Sequence, residues 1–387
     1  MDIVQGVASR SFTGTSGGSE HFITIKDAPP ELGLAEQIGY VEERYAVARE
    51  SLGLGPDSAI FRRVFLSDVL NQKEFVCESS LLGEDCDDPV AVSIVQQAPL
   101  PGAKIALQAY HIEGQAPIRK FRLTGHDLLV EKNGRRHLWT TGLCAGAEVA
   151  SGSPGVQTRA IFDDLIATIS DQGGTLAEHC VRTWVYLKDV DVFYQDMVKS
   201  RGTLFDEQGL TAETHYIAST GIEGACGHQF DLVAMDAYSA LDLTPEQMSY
   251  LNDLDRLCAT KDYGVTFERG TRIAYADRAH HFISGTASID REGKIVHPGD
   301  VIGQLAHALD NVDALLHAGS AGLADMMGLT VYLRDPTDFA GVDERLRDHL
   351  PDLPFVIVQG AVCRPGWLVE VEGVAIAPND EPSFPAF

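Results

Sequence analysis

Apolar residues recur at helical spacing in the last third of the chain. From Val301 to His317 they fall three or four positions apart, so the pattern predicts a helix with one buried face. Runs rich in β-branched and aromatic residues flank this segment at 280–289, 330–334, 355–362 and 367–376, and they predict strands. Together these elements indicate an α+β unit with helices on one face of a mostly antiparallel sheet.

A short strand motif occurs three times along the chain, each time after an amphipathic segment. The copies read Phe-Arg-Arg-Val-Phe-Leu-Ser-Asp at 61–68, Arg-Thr-Trp-Val-Tyr-Leu-Lys-Asp at 182–189 and Gly-Leu-Thr-Val-Tyr-Leu-Arg-Asp at 328–335. Self-similarity of this kind indicates an internal triplication, of which the first copy is the most degenerate. We therefore predict three tandem repeats with the boundaries 1–118, 119–243 and 244–387.

Composition narrows the possible partners. The 387 residues carry a net charge of −26, which argues against a nucleic-acid partner, because neutralising phosphates requires clustered Lys and Arg. The chain contains no apolar run long enough for a membrane span, and its first residues do not resemble a signal peptide, so we expect a cytoplasmic protein. Its 7 cysteines are odd in number and irregularly spaced, which favours reduced thiols.

One carboxylate distinguishes the third repeat from the other two. We expect a Pro365–Gly366 turn to join the last two strands in a hairpin, which places Cys363 and Glu370 on one face. Glu370 would then point away from its own repeat's core, and the second repeat has Ala234 at this place. In a cleft against a neighbouring repeat the protonated form of Glu370 would be favoured, which suits a general acid. The alternative is a solvated glutamate on an exposed sheet face.

Two arginines occupy equivalent places in the second and third repeats. Arg201 and Arg347 each lie eight residues after the phenylalanine of their repeat, Phe193 or Phe339. Two guanidinium groups suit a substrate with two carboxylates, because each can bind a carboxylate through a fork of hydrogen bonds. The alternative is a pair of ordinary surface arginines neutralised by acids on the same helix.

Other polar residues are weaker candidates. Cys363 could be a nucleophile, a packing residue or a wall of the site, and without a neighbouring histidine on the hairpin the nucleophile is the weakest of the three. Tyr216 and the run 219–224, which contains Thr220, could supply hydroxyl and backbone donors, although a tight turn explains the glycines equally well. Cys226-Gly-His228 has no partner pair at zinc spacing, and no nucleotide-binding glycine motif occurs, so we predict neither metal nor cofactor.

The third repeat resembles the Rid/YjgF-like superfamily, which consists of small trimeric α+β proteins with sites at subunit interfaces. Over nearly its whole length the chain resembles the chorismatases, which elaborate that fold. Arg-Thr-Trp-Val-Tyr-Leu at 182–187, Ser-Thr-Gly-Ile-Glu-Gly at 219–224 and Cys-Arg-Pro-Gly-Trp-Leu-Val-Glu at 363–370 carry the resemblance. It implies three Rid-like repeats in a pseudo-threefold, trimer-like barrel with helices outside, formed by a monomer.

The resemblance also implies an activity. Glu370 would protonate the enolpyruvyl methylene of chorismate, with loss of pyruvate, while Arg347 and Arg201 hold the two carboxylates and Tyr216 and Thr220 position the substrate. In this family a cysteine at the position of Cys363 goes with the branch that forms 3-hydroxybenzoate.

Three alternatives stay open. The first is a chorismate hydrolase that gives a dihydroxycyclohexadiene carboxylate and pyruvate, and the second is a non-catalytic Rid-like ligand-binding module. The third is an imine deaminase, which in this superfamily carries an arginine where this chain has Phe355 or Val356.

Overall fold

A computed structural model of the chain describes residues 6–82, 88–149, 151–225, 227–260 and 264–387. Within these residues the chain forms three sheets and seven α-helices. The first sheet contains β1 (Val7–Thr13), β2 (Ser19–Ile25), β3 (Ala59–Leu66), β4 (Ala91–Gln96) and β5 (Ile105–Glu113). The second contains β6 (Arg119–Arg122), β7 (Asp127–Lys132), β8 (Arg135–Cys144), β9 (Cys180–Leu187), β10 (Ala218–Glu223) and β11 (Val233–Ala240). The third contains β12 (Met248–Tyr250), β13 (Gly270–Ala274), β14 (Arg278–Ala287), β15 (Met326–Leu333), β16 (Phe355–Gln359) and β17 (Val369–Pro378).

In each sheet the helices follow the same two strands of the repeat: β2 and β3 in the first sheet, β8 and β9 in the second, and β14 and β15 in the third. They are α1 (Leu34–Ser51), α2 (Val69–Cys77), α3 (Pro154–Asp171), α4 (Leu176–His179), α5 (Val190–Glu207), α6 (Val301–Ala318) and α7 (Phe339–His349). We call the sheets with their helices the first, second and third units. The mixed α+β class predicted from the sequence is confirmed.

The three units share one strand order. The first sheet runs β1-β2-β5-β3-β4, and the others run β7-β8-β11-β9-β10 and β13-β14-β17-β15-β16, with β6 and β12 added at the edges. The repeated motif forms β3, β9 and β15, each parallel to the strand that follows it and antiparallel to the last strand of its unit. The predicted triplication is therefore confirmed as three units of equivalent topology.

The predicted hairpin between the last two strands is wrong. β15 lies between β16 and β17, and β16 pairs with β15 in parallel, with Leu329 opposite Phe355. A chain that has just run parallel to β15 must cross the end of the sheet before it can return antiparallel on the other side. Residues 360–368, with the Pro365–Gly366 pair, form that crossing.

Helix α6 packs its apolar face against one face of the third sheet. The Asp300 side chain accepts a hydrogen bond from the backbone N–H of Gly303 and caps the first turn. Leu305, Leu309, Val312 and Leu316 then fall on the buried face and pack in one core with Val369 and Val371 of β17. Because side chains alternate along a strand, the residues between these valines point to the opposite face.

The opposite faces of the three sheets meet one another. β4 contacts β8, β10 contacts β14, and β15 contacts β2, so each sheet touches both of the others. At one end, isolated bridges join the strands in a cycle through the pairs Gln96–Ala225, Ile222–Val362 and Pro99–Val358. A cavity of about 100 Å³ lies between the sheets and is walled by aromatic residues from all three, including Phe61, Tyr110, Trp139, Trp184, Tyr238 and Phe282.

None of the helices in the described part of the chain combines the length and apolarity needed to cross a bilayer.

Candidate active site

Glu370 lies in a cleft between the second and third units. Its place in β17, opposite Ala287 of β14 and Tyr332 of β15, turns its side chain towards the neighbouring sheet. The residue is 6% exposed. The cleft is lined from the second unit by Tyr194, Arg201, Ser219, Thr220 and Gly221, and from the rest of the chain by Val265, Phe267, Arg269, Gly285, Ala287, Ile289, Cys363, Arg364, Trp367 and Glu370.

The surroundings of Glu370 keep its carboxyl group protonated at neutral pH. Burial raises its pKa from the ordinary value of 4.5 to about 8, and the negative charge of Glu372 adds to the rise. Arg269 and Arg182 act in the opposite direction but do not cancel these effects. An acid with a pKa near 8 can donate a proton at neutral pH, which an ordinary surface glutamate does poorly.

Glu372, two residues further along β17, lies in a contrasting environment. Its carboxylate accepts hydrogen bonds from Arg182 Nη2 at 2.6 Å, Trp184 Nε1 at 2.9 Å and the Tyr332 hydroxyl at 2.8 Å. The Thr220 hydroxyl also donates to it. Alternate residues of one strand thus place two carboxyl groups on one face. Glu372 is held by polar donors, whereas burial dominates the environment of Glu370. The negative charge of the nearby Glu372 carboxylate helps Glu370 to retain its proton.

A break in the pairing of β14 with β17 makes room for the Glu370 carboxyl group. The register shifts between Ile283 and Thr286, and Gly285 lies in that bulge. A Cβ atom at position 285 would overlap the Glu370 carboxyl group. The backbone N–H of Gly285 donates to the Thr220 hydroxyl at 2.9 Å, and Ser284 accepts from the backbone of Ser219, so the bulge also fixes the junction of the two units.

Arg201 reaches the cleft from α5. It is 2% exposed, and its guanidinium group donates to the Ser219 hydroxyl at 3.3 Å and to the Thr266 hydroxyl at 3.2 Å. Arg201 thus lies in the lining of the same cleft as the Glu370 carboxyl group.

Arg347 lies elsewhere, which corrects the predicted arginine pair. Its side chain is 53% exposed on α7, donates to Asp343 at 2.7 Å and lies 3.9 Å from Asp27 of the first unit. The two arginines do hold equivalent places on equivalent helices. However, α5 faces the junction of the second and third units, whereas α7 faces the junction of the third and first. Residues related by the repeat therefore lie in different crevices and do not converge on one ligand.

Two further arginines, which no sequence pattern had indicated as ligand-binding, line the cleft with Arg201. Arg269 is 3% exposed just before β13 and donates to the Cys258 carbonyl at 3.2 Å. Arg364 packs over the Trp367 ring at 5.5 Å. Arg364 lies inside the Cys-Arg-Pro-Gly-Trp motif, so the sequence did contain a signal that could have indicated this residue. Arg269 has no counterpart in the repeated motif. The cleft thus gathers three guanidinium groups in a chain of net charge −26.

Cys363 lies in the same cleft as Glu370, although the hairpin that led to this expectation does not form. Burial raises the pKa of its thiol to about 12, with a further rise from Glu370 and a smaller opposing effect of a hydrogen bond with Tyr194. A protonated thiol is a poor nucleophile, so Cys363 is suited to shaping the cleft wall.

The two remaining candidates differ in their placement. The hydroxyl of Thr220 is part of the cleft lining and is bonded to Glu372. Tyr216 lies outside the lining, with its ring 6.2 Å from that of Phe205 and its backbone N–H bonded to Glu268. The expectation that it positions a ligand is therefore corrected. Tyr194 is the tyrosine that lines the cleft, because it lies on the α5 face that points inwards.

The cleft is closed in this conformation. Its volume is about 30 Å³, room for two or three water molecules. A dicarboxylate ligand therefore requires its walls to move apart.

The chain is similar to one family model and to several known proteins. The model of the family described as endoribonuclease L-PSP matches residues 273–377. A 3-hydroxybenzoate synthase of Streptomyces hygroscopicus is 27% identical over 259 residues, which cover 60% of this chain and 73% of the relative. A chorismatase of the same organism is 29% identical over 210 residues, 50% of this chain and 60% of the relative. A RutC family protein of Pyrococcus horikoshii is 35% identical over 97 residues, 24% of this chain and 76% of the relative.

Among solved structures, a chorismatase crystal structure covers 96% of this chain and 99% of its own, with a TM-score of 0.63 and 18% identity. That likeness concerns the fold, which extends over all three units.

Proposed function

This chain belongs to the chorismatase family, and from that membership we propose that it converts chorismate to 3-hydroxybenzoate and pyruvate. The observation that carries the proposal is Glu370, an acid that keeps its proton at neutral pH in a cleft with three arginines. Chorismate joins two carboxylates to an acid-sensitive enol ether, and this cleft has groups of the right type for both.

The first step is a proton transfer from Glu370. The electron pair of the enolpyruvyl double bond takes the proton at the methylene carbon, and an oxocarbenium-like centre develops at the ether carbon. The charge left on Glu370 lies near Arg269 and Arg182, which stabilise it. Arg201, Arg269 and Arg364 hold the substrate carboxylates, with hydrogen bonds that are strong because both partners are charged.

The second step distinguishes two products. If a hydroxyl group of the ring acts as the attacking group in place of water, the atoms of chorismate divide into 3-hydroxybenzoate and pyruvate, and no further molecule is consumed. If water attacks instead, one water is consumed and a dihydroxycyclohexadiene carboxylate is released. Cys363 favours the first route, because a protonated thiol on the wall occupies space beside Glu370 and is a weak partner for an attacking water. The relative named 3-hydroxybenzoate synthase supports this choice.

We further propose that the three units form a pseudo-threefold barrel within a monomer. The shared strand order and the cyclic bridges between the units support this arrangement. Cys77, Cys144, Cys180 and Cys363 are free thiols, which suits work in the cytoplasm.

Incubation of the purified protein with chorismate, without added cofactor, tests the proposal. We expect pyruvate and 3-hydroxybenzoate in equal amounts, measured by a coupled pyruvate assay and by chromatography. Pyruvate with the dihydroxycyclohexadiene carboxylate would identify the hydrolase instead. Binding of chorismate without any release of pyruvate would identify a ligand-binding module.

A further inference from the structure

A cysteine, a histidine and an aspartate converge outside the cleft described above. Cys144 ends β8, and His228 and Asp231 lie in the segment that leads into β11. The Cys144 sulfur is 3.7 Å from His228 Nδ1, and the same nitrogen is 3.0 Å from Asp231 Oδ2. The three ligand atoms all lie within 4.8 Å of one another.

The geometry distinguishes two uses of such a group. A catalytic relay needs both imidazole nitrogens, one towards the thiol and the other towards the carboxylate. Here the thiol and the carboxylate both face Nδ1, so the three atoms surround a common point. We propose that Cys144, His228 and Asp231 bind a zinc ion.

Two of the three separations are close to those that zinc requires. Zinc bonds of about 2.3 Å to sulfur and about 2.1 Å to nitrogen or oxygen place tetrahedral ligand atoms roughly 3.3 to 3.6 Å apart. The separations of 3.7 and 3.0 Å need shifts of a few tenths of an ångström. A set with thiolate, imidazole and carboxylate suits zinc better than magnesium or calcium, which prefer oxygen ligands.

The fourth position of the ion is open. His228 lines a cavity of about 360 Å³ between the first and second units, together with Lys73, Cys77, Arg122 and His126. Its side chain is 64% exposed, whereas that of Asp231 is 5% exposed. Water in the cavity can therefore complete a tetrahedral set, and the buried carboxylate fixes the site to the protein.

Sequence spacing could not have predicted this site. Cys144 and His228 are 84 residues apart, and the fold of the second unit brings them together. The Cys226-Gly-His228 pattern was set aside for lack of a partner pair, and Cys226 lies outside the described residues.

Zinc titration of the chelator-treated full chain in competition with a chromogenic chelator tests the site. We expect a single zinc per chain. Mutation of a residue that only supports a metal ligand typically lowers metal affinity by about 10- to 100-fold, and loss of a ligand itself should lower it further. We therefore expect Cys144→Ser, His228→Asn and Asp231→Asn each to weaken zinc binding by roughly 100-fold or more. His228 is exposed, so its replacement leaves the core intact, and far-ultraviolet circular dichroism of the metal-free variants checks their folding.

Cobalt substitution identifies the sulfur ligand. The wild type should show a thiolate-to-cobalt charge-transfer band that is absent from Cys144→Ser. Cys77→Ser is the matched control, because Cys77 lines the same cavity but is not one of the converging ligands, and it should keep both the band and the zinc affinity. The proposal would be overturned if the wild type bound no zinc. It would also be overturned if all three ligand variants were folded and still bound zinc with unchanged affinity.

Discussion

Replacement of Glu370 by glutamine should change how the free energy of unfolding depends on pH. The folded pKa is about 8 and the ordinary value is 4.5, so the folded state binds this proton more tightly by about 3.5 pKa units. At 1.36 kcal/mol per unit this corresponds to about 5 kcal/mol. Because the folded pKa is raised, this contribution is fully present below pH 4.5 and is lost as the pH rises to about 8. Glutamine has a similar shape and does not titrate, so the variant avoids this loss.

The assay is urea unfolding of the wild type and Glu370→Gln at several pH values between about 4.5 and about 9. The stability difference, variant minus wild type, should grow by several kcal/mol across that range, while contributions of other groups cancel. Glu344, which is exposed on α7, provides the control, and the difference for Glu344→Gln should stay nearly constant. A difference for Glu370→Gln that is equally independent of pH would refute the claim that Glu370 is protonated in the folded state.

Three further predictions concern turnover. Arg201→Gln removes a charge-assisted hydrogen bond worth about 1.5 to 3 kcal/mol, so kcat/KM for chorismate should fall by roughly 10- to 100-fold. Arg347→Gln should keep a kcat/KM close to that of the wild type. An equal loss of kcat/KM in both variants would contradict the assignment of Arg201, and not Arg347, to the substrate cleft. Cys363→Ala should shift the ring product towards the dihydroxycyclohexadiene carboxylate while pyruvate release continues, and unchanged chromatograms would remove Cys363 from product choice. Glu372→Gln should lower the pKa of Glu370 and move the alkaline limb of the pH–rate profile to lower pH, whereas an upward shift would show that Glu372 does not act through its charge.

The period of the apolar residues was sufficient to predict the fold class and much of α6. The helix spans Val301–Ala318, one residue longer than expected, because its pattern has a single consistent buried face and a capped start. The repeated strand motif revealed three units, since each copy fills the same central place in its sheet. The order of β16 and β17 was not predictable from a turn signal, because a Pro-Gly pair fits a crossover as well as a hairpin.

The site was partly predictable for a related reason. Alternation along β17 fixes the face on which Glu370 lies, whichever strands are its neighbours, so that part of the reasoning does not depend on the hairpin. The arginines depend on how the units are arranged around one another, which a pattern within one repeat does not contain. Arg347 was therefore assigned to the wrong crevice, and Arg269, which lies in the connection between two units, was missed.

The most direct test of the central claim is pyruvate release from chorismate by the wild type and Glu370→Gln between about pH 6 and about pH 10. For the wild type we expect a rate that falls about tenfold per pH unit above a pKa near 8, as the Glu370 carboxyl group loses its proton. The variant should bind chorismate measurably but release no pyruvate at any pH. A variant that retains nearly full turnover would contradict the account, since the proton would then come from another group.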